Sequence, residues 1–145
     1  MHVALGSDEV TELTRAVEET VRKRGARVTL MGAPAGEEAS WVDVGRRVGE
    51  MVVHGDADTG VLFCWTGTGA SIAANKVPGV RAALCTDVFT AVGARKWNDA
   101  NVLVMSLRLV SVEVAREMIE AWFTTDLDPA ELANVASLGA VHELG

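Results

Sequence analysis

The sequence predicts an α/β protein whose parallel sheet carries helices on both faces. Short apolar runs alternate with amphipathic stretches from end to end of the 145 residues. Such alternation is typical of strand–helix–strand units joined by right-handed crossovers. Turn residues bound each apolar run, as expected for buried strands. At this length the chain suits one domain, spanning residues 1–145, with one substantial core.

Five strands and five main helices follow in order along the chain. The apolar runs predict strands at residues 2–5, 28–31, 60–63, 82–85 and 102–105. Helical periodicity predicts helices at residues 12–24, 41–53, 71–75, 89–96 and 111–123, so the order is βαβαβαβαβα. Gly25 follows a basic last turn and marks the end of the first helix. Asp128 and Pro129 begin a short helix that runs to about residue 138.

Charge and hydropathy exclude several classes of function. The formal net charge is −7, so the chain lacks the basic surface that nucleic acid or an anionic membrane requires, and an anionic ligand needs local positive groups. No apolar run approaches the roughly 18 residues of a membrane span. The first residues show no signal-peptide pattern. We therefore expect a cytoplasmic protein with neither a nucleic-acid nor a membrane partner.

Cysteine and histidine usage favours neither a disulfide framework nor a metal site. Cys64 and Cys85 each close an apolar run, which suits reduced thiols in a cytosolic α/β protein. The three histidines lie at positions 2, 54 and 142 and show no metal-ligand spacing.

A glycine loop after the third predicted strand is the most informative part of the chain. Gly67 and Gly69 begin a dinucleotide fingerprint, but Ile72 stands where its third glycine belongs, and no Gly-Lys-Ser/Thr ends the loop as in a P-loop. One interpretation is a tight strand-to-helix turn and nothing more. The other is an anion site, because a helix amino terminus at this edge of a parallel sheet offers unpaired N–H groups.

Cys64 stands where the strand ends and the loop begins. Most cysteines in such cores are small buried hydrophobes. A nearby helix amino terminus, however, favours a thiolate, which can accept a proton at neutral pH. Cys85 closes the next strand without glycines behind it, and we expect it to be structural.

Several motifs together resemble the type B ribose-5-phosphate isomerase family, which includes galactose-6-phosphate isomerase subunits. They are Gly6-Ser7-Asp8, the glycine loop with residues 71–85 behind it, and residues 98–103. The match is specific over residues 60–108 and poor after Phe123, so residues 124–145 form a divergent tail. The resemblance implies a Rossmann-like three-layer sandwich with a five-stranded parallel sheet, and a homodimer or dimer of dimers with a shared active site. It also implies cofactor-free aldose–ketose isomerisation of a carbohydrate through a cis-enediol.

The resemblance assigns a role to each residue of the loop and its neighbours. Cys64 is the base that moves the proton, Asp8 holds substrate hydroxyls or the ring oxygen, and Asn98 of the partner subunit binds another hydroxyl. Simpler roles are a helix cap for Asp8 and a turn for Asn98. The cradle for the enediolate is formed by Thr66 together with the backbone amides of Gly67, Thr68, Gly69 and Ser71.

Three substitutions near the motifs depart from the family pattern. Glu9 stands in place of a histidine on the phosphate side, and Trp65 in place of a glycine. Trp97 replaces the histidine credited with opening the sugar ring, and indole cannot transfer that proton. Both tryptophans are expected to contact the substrate, because sugar rings and other planar groups stack on indole. The alternative is that the two aromatic rings simply fill the pocket.

The tail departs from the family as well. Family members carry two arginines there that grip the phosphate, whereas this chain has Leu132 and Ala136 in those places. Arg108 is then the only obvious cation for a phosphate, which normally takes several charge-assisted donors. We therefore expect a substrate other than ordinary ribose 5-phosphate.

Two alternatives to an isomerase follow from the same departures. One is a non-catalytic binding homologue or the partner subunit of a paralogous isomerase, since the losses fall on the side of the site that a partner would supply. The other is an enzyme that uses Cys64 as a nucleophile, which would need a nearby histidine that the motif region lacks. The retained proton-transfer residues favour the isomerase.

Overall fold

Five parallel strands form one sheet in the computed structural model, which describes the backbone of residues 1–144 and the side chains of residues 1–139. The strands lie in the spatial order β2-β1-β3-β5-β4, and every neighbouring pair is parallel. The predicted fold class is therefore confirmed. The strands are β1 (His2–Ser7), β2 (Arg27–Gly32), β3 (Thr59–Cys64), β4 (Ala82–Leu84) and β5 (Val102–Ser106).

Helices cover both faces of the sheet, and each face has its own apolar core. Along β3, Val61 and Phe63 belong to the core shared with α1, α4 and α5, whereas Leu62 and Cys64 belong to the core shared with α2 and α3. This alternation is the period of a strand buried on both sides. The helices are α1 (Glu12–Lys23), α2 (Trp41–Val53), α3 (Thr68–Asn75), α4 (Val88–Asn98), α5 (Val112–Thr124) and α6 (Leu132–Leu144). Within residues 1–144, no helix has the length and hydropathy to cross a bilayer.

The strand order reverses direction beside β1. The chain goes from β1 outward to β2 and then returns across β1 to form β3. A reversal of this kind leaves a crevice at the carboxyl ends of the two strands, where open α/β sheets bind ligands. Ser7 of β1 pairs in register with Phe63 of β3, so Asp8 and Cys64 follow at the mouth of that crevice.

Most predicted boundaries shift by one to three residues, and three of the differences concern Cys85, the glycine loop and the tail. The strand predicted to end at Cys85 ends at Leu84, although the Cys85 amide still donates to the Val104 carbonyl at 3.0 Å. The helix predicted from residue 71 begins at Thr68. The predicted helix after Asp128 is a 3-10 turn, Pro129–Glu131, followed by α6, which runs beyond the predicted end at residue 138. The predicted stop at Gly25 is confirmed by its φ of +86°.

Candidate active site

The loop after β3 turns sharply at Gly67, and only glycine fits there. Its φ is +80°, and a Cβ would lie 2.5 Å from Cδ1 of Leu84 and 3.3 Å from the Met105 backbone. Such a φ disfavours any residue with a side chain. The turn starts α3 at Thr68, only four residues after Cys64. Close approach of the helix amino terminus to the end of β3 is therefore built into the backbone.

In the first turn of α3, fewer backbone amides are free to bind an anion than the sequence predicted. The Ser71 N–H donates to the Gly67 carbonyl at 3.1 Å, so this amide is used within the helix and only the Ser71 hydroxyl can serve a ligand. The amides of residues 68–70 have no intrahelical acceptor. Thr66 and Thr68 are exposed beside them, with their hydroxyl oxygens 2.8 Å apart.

The two thiols occupy different surroundings. Cys64 is 5% exposed and lies on the face of the sheet that α3 covers. Cys85 is fully buried in the opposite core. Burial raises the pKa of the Cys85 thiol to about 12, and the nearby Asp87 carboxylate adds to the effect. Cys85 is consequently a neutral thiol at physiological pH, which agrees with its expected structural role.

Asp8 presents a buried carboxylate oxygen with no protein partner. Its Oδ1 atom is the single buried side-chain oxygen or nitrogen without a hydrogen bond among the residues whose side chains are described. The cap of α1 is Thr11, which accepts from the Thr14 amide at 3.4 Å, so Asp8 does not cap this helix. Buried polar atoms without partners are rare and costly. A substrate hydroxyl at the crevice would satisfy this one.

Trp65 and Arg108 lie together on the rim of the same edge. The Trp65 carbonyl accepts from the Arg108 amide at 3.1 Å and from the Ser106 hydroxyl at 2.9 Å. The Trp65 side chain is 56% exposed, and Arg108 is also exposed. The structure thus places an indole one residue beyond the predicted base, with the backbone of a cationic residue bonded to it.

Trp41 is a residue at this edge that sequence reasoning missed. It is the first residue of α2, and a Cβ on Gly69 would come within 2.9 Å of its indole ring. Trp41 therefore packs on the first turn of α3 and forms a wall of the amide cradle, with 44% of its surface exposed. The available signal was topological, because a helix that follows a parallel strand begins at the carboxyl edge of the sheet.

Helices α2 and α3 start side by side and run in the same direction. A Cβ on Gly45 would lie 2.9 Å from the Ala70 carbonyl and the Ala73 Cβ, and one on Gly49 would lie 3.4 Å from the Ala74 carbonyl. Small residues let the two helices approach this closely. Their amino termini, including Trp41 and Gly69, therefore meet at the carboxyl edge of the sheet.

Trp97 and Asn98 lie at the opposite edge of the same chain. They end α4, three residues before the start of β5, whereas Cys64 is level with Ser106 at the far end of β5. The four steps along this strand separate the two edges by about 13 Å. One chain alone therefore does not bring Asn98 to Cys64, and Asn98 occupies a helix end rather than a turn.

The tail borders the edge where Asn98 lies. A cavity of about 850 Å³ lies between the start of β4 and α6, and Asn98, Val135 and Leu138 are among the residues that line it. Leu132 and Ala136 are exposed on α6. Neither Cys64 nor Asp8 lines this cavity.

Known proteins resemble the chain over nearly its full length. A family model described as Ribose/Galactose Isomerase matches residues 3–138. The chain is 38% identical over 128 residues to a putative sugar phosphate isomerase of Bacillus subtilis, covering 87% of this chain and 86% of that protein. It is 34% identical over 130 residues to D-erythrulose-4-phosphate isomerase of Pectobacterium atrosepticum, with coverage of 88% and 86%. The structure of Clostridium thermocellum ribose-5-phosphate isomerase B superposes with a TM-score of 0.93 at 35% identity, covering 99% of both chains.

The family match includes most of α6, although the sequence motifs are poor after Phe123. Sequence identity above 30% over most of both chains, together with the superposition, settles the relationship. The chain therefore belongs to the ribose and galactose isomerase family, and it is an aldose–ketose isomerase of the type that acts on sugar phosphates.

Proposed function

We propose that the protein isomerises its sugar phosphate by proton transfer through a cis-enediol, with Cys64 as the base. In the direction from aldose to ketose, the Cys64 thiolate removes the proton from C2 and the resulting thiol returns a proton to C1. The amides of residues 68–70 and the Thr66 hydroxyl stabilise the enediolate oxygens, and donors of this kind are each worth about 10²–10³ in rate. Asp8 binds the hydroxyls of the open chain.

One observation carries this proposal. At the crevice, Asp8 and Cys64 come together from neighbouring strands, and the Asp8 Oδ1 atom is buried without a partner. Among the residues whose side chains are described, none satisfies this oxygen. A polyhydroxylated substrate next to a thiol and a helix amino terminus supplies the missing donor.

The substrate itself is expected to differ from ordinary ribose 5-phosphate. Within residues 60–108, Arg108 is the one cation at the carboxyl edge of the sheet. The exposed indoles of Trp65 and Trp41 lie at the same edge. A relative is named for a four-carbon substrate, D-erythrulose 4-phosphate. The single cation favours a substrate with less negative charge than a pentose 5-phosphate, which would need several arginines. The relative's name favours a sugar phosphate or sugar derivative that is shorter than a pentose.

Deuterium incorporation tests the chemistry directly. The protein is incubated in D₂O with a panel of aldoses and aldose phosphates, and deuterium at C1 or C2 is followed by NMR. We expect incorporation with at least one sugar phosphate, and its loss in Cys64→Ala. Cys85→Ala is the matched control, because it removes a buried thiol that belongs to the core on the opposite face of the sheet from Cys64, and it should retain incorporation. Equal activity of Cys64→Ala and the unmodified protein would refute the role of Cys64.

We also propose that the active protein is a homodimer, or a dimer of dimers, with a shared site. In a two-fold interface the same two patches meet twice, so the carboxyl edge of one subunit can receive Asn98 and Trp97 from the amino edge of the other. The separation of these edges within one chain supports a shared site. The same separation would also suit pairing with a paralogous subunit. Sedimentation equilibrium of the purified chain distinguishes the two assemblies, because an active dimer or tetramer supports the homo-oligomer, whereas a monomer that becomes active only with a paralogue supports the mixed assembly.

Two free thiols, Cys64 and Cys85, suit a reducing compartment. This supports a cytoplasmic location for the proposed enzyme.

A further inference from the structure

Two residues of the glycine loop are exposed, so burial of their side chains does not hold them in place. Trp65 and Thr66 follow Cys64, which is buried, and precede Gly67, which is buried as well. The proposed chemistry uses the Cys64 thiol and the Thr66 hydroxyl together. Because an exposed side chain gains little from packing, the main chain has to set the position of Thr66 relative to Cys64.

The carbonyl of Trp65 is the point at which this main chain is held. The chain after β5 continues alongside the chain after β3: the Leu107 amide donates to the Cys64 carbonyl at 3.0 Å, and the Arg108 amide donates to the Trp65 carbonyl at 3.1 Å. The Ser106 hydroxyl donates to the same Trp65 carbonyl at 2.9 Å. This oxygen therefore accepts two hydrogen bonds, which uses both of its lone pairs.

These two bonds orient the peptide that joins Trp65 to Thr66. The Trp65 carbonyl and the Thr66 N–H lie in one plane, so fixing the oxygen fixes the direction in which the chain enters Thr66. The next residue, Gly67, lies over the end of β5, where a Cβ would come within 3.3 Å of the Met105 backbone. The loop thus rests on the end of β5, and Ser106 supplies a side-chain bond to it.

The Ser106 hydroxyl stands at the end of a strand that is otherwise apolar. The sequence of β5 is Val-Leu-Val-Met-Ser, and Ser106 is only 3% exposed. A buried hydroxyl costs free energy unless it forms a hydrogen bond. Alanine would occupy the same place without that cost, so the bond to the Trp65 carbonyl is what the hydroxyl adds here.

Four polar residues are buried among those whose side chains are described, and they are Ser7, Thr14, Thr59 and Ser106. The hydroxyls of Ser7 and Thr14 donate to carbonyls two and three residues away, so each fixes its own turn. Thr59 and Ser106 instead bond between β3 and β5. Thr59 donates to the Asn101 carbonyl at 3.0 Å at the amino edge, whereas Ser106 does the equivalent at the carboxyl edge, beside the proposed base.

We propose that Ser106 is a positioning residue of this enzyme: through the Trp65 carbonyl, its buried hydroxyl holds the Thr66 hydroxyl and the first amides of α3 in a fixed place relative to Cys64. The inference rests on the proposed function, because Ser106 gains this role only if Cys64 and Thr66 act on the enediolate. Ser106 donates its own proton to a main-chain oxygen, so it takes no part in proton transfer.

Loss of the Ser106 hydroxyl should lower kcat and leave KM nearly unchanged. Ser106→Ala keeps the bond from the Arg108 amide, so the loop stays on β5 but its first peptide is free to tilt. A displacement of about 1 Å can cost about 10²-fold in rate, so a smaller tilt should lower kcat about tenfold. The enediolate forms only after the substrate has bound, and an interaction made only with it changes kcat rather than KM.

The test compares the two buried hydroxyls that bond between β3 and β5. Ser106→Ala, Thr59→Val and the unmodified protein are unfolded in urea. Their kcat and KM are measured from deuterium incorporation in D₂O, with the panel of aldose phosphates, including erythrose 4-phosphate and ribose 5-phosphate, as probes. Thr59→Val should lose stability, because the Trp122 indole N–H loses its acceptor at 3.0 Å, but it should keep its kcat. Ser106→Ala should lose kcat, and Ser106→Thr, which keeps the donor, should recover most of it.

The outcomes separate this inference from the proposed function. A kcat in Ser106→Ala equal to that of the unmodified protein, an equal fall in Thr59→Val, or an effect confined to KM would overturn the role of Ser106 and leave the isomerase intact. So would a Ser106→Thr variant that is fully stable yet as slow as Ser106→Ala. Absence of incorporation with every probe, or incorporation that survives in Cys64→Ala, would overturn the proposed function and the inference with it.

Discussion

At the scale of single residues, the candidate site depends on one backbone conformation. Gly67 combines a positive φ with close contacts to Leu84 and Met105, so it has both a conformational and a steric reason to be glycine. Gly25 has a similar φ of +86° but open space around it. The two positions therefore separate the cost of the conformation from the cost of the packing.

Gly67→Ala should destabilise the protein more than Gly25→Ala. Both substitutions place a Cβ in the left-handed region, at about 1–2 kcal/mol, but only Gly67→Ala adds overlap with a packed neighbour, at about 1–3 kcal/mol more. Gly67→Ala should also lower kcat/KM, because the cradle amides shift. Urea unfolding and deuterium incorporation measure the two effects. Equal losses of stability in both variants would contradict the steric argument.

Cys85 should make stability depend on pH under alkaline conditions. Burial raises its folded-state pKa to about 12 from an ordinary value near 9, so the folded state holds a proton that the unfolded state releases. The contribution to stability is complete below pH 9 and is lost as the pH rises from 9 towards 12, at up to about 1.4 kcal/mol per pH unit. Urea unfolding at several pH values measures this slope, and in Cys85→Ala it should be shallower.

At the scale of elements, the parallel pair of α2 and α3 positions the cradle. Gly45 and Gly49 allow the two helices to touch, and this contact sets the indole of Trp41 against Gly69. The ring covers the first turn of α3 on the side that faces α2. Its contribution is thus to positioning and to the exclusion of water rather than to chemistry.

Trp41→Ala should lower kcat/KM by about tenfold, which corresponds to about 1.4 kcal/mol of transition-state stabilisation. Trp41→Phe should recover part of this loss, because it keeps an aromatic ring against Gly69. Val42→Ala is the matched control, because Val42 is the next residue of the same helix and is similarly exposed, at 49%, but is not among the atoms nearest Gly69. Equal reductions in Trp41→Ala and Val42→Ala would show that the effect belongs to α2 in general.

The sequence was sufficient for the order of the elements but not for their contacts. Apolar runs and helical periodicity identified all five strands, and the loop at Gly67 and Gly69 was placed correctly between β3 and α3. The start of α3 was missed by three residues, because Thr68 and Gly69 look like loop residues until the φ of Gly67 is known. Trp41 was missed because its contact with Gly69 joins residues 28 positions apart. The Ser71 amide was included in the anion cradle, but its hydrogen bond to the Gly67 carbonyl uses it within the helix.

At the scale of the whole molecule, the residues proposed to share one site lie at opposite ends of the strands. Cys64 and Asp8 lie at the carboxyl edge of the sheet, and Asn98 lies at the amino edge beside the cavity under α6. A closed two-fold assembly resolves this geometry without any change in the fold of the chain.

Mixing two inactive variants should restore activity if the site is shared. A hybrid of Cys64→Ala and Asn98→Ala subunits has one site with both substitutions and one with neither, so random exchange should recover about a quarter of the unmodified activity. The matched control mixes Cys64→Ala with Asp8→Ala, which lie at the same edge, and every site then keeps one defect. Recovery in both mixtures, or in neither, would contradict a site shared between the two edges.

The side-by-side start of α2 and α3 has a consequence for how binding responds to acid and base. Their aligned peptide dipoles provide positive potential from backbone groups that do not titrate in the physiological range. The backbone contribution to the affinity for an anion at this edge should therefore not change with pH. Any bend in a plot of binding against pH then reports the ionisation of the ligand or of the few carboxyl and thiol groups beside it.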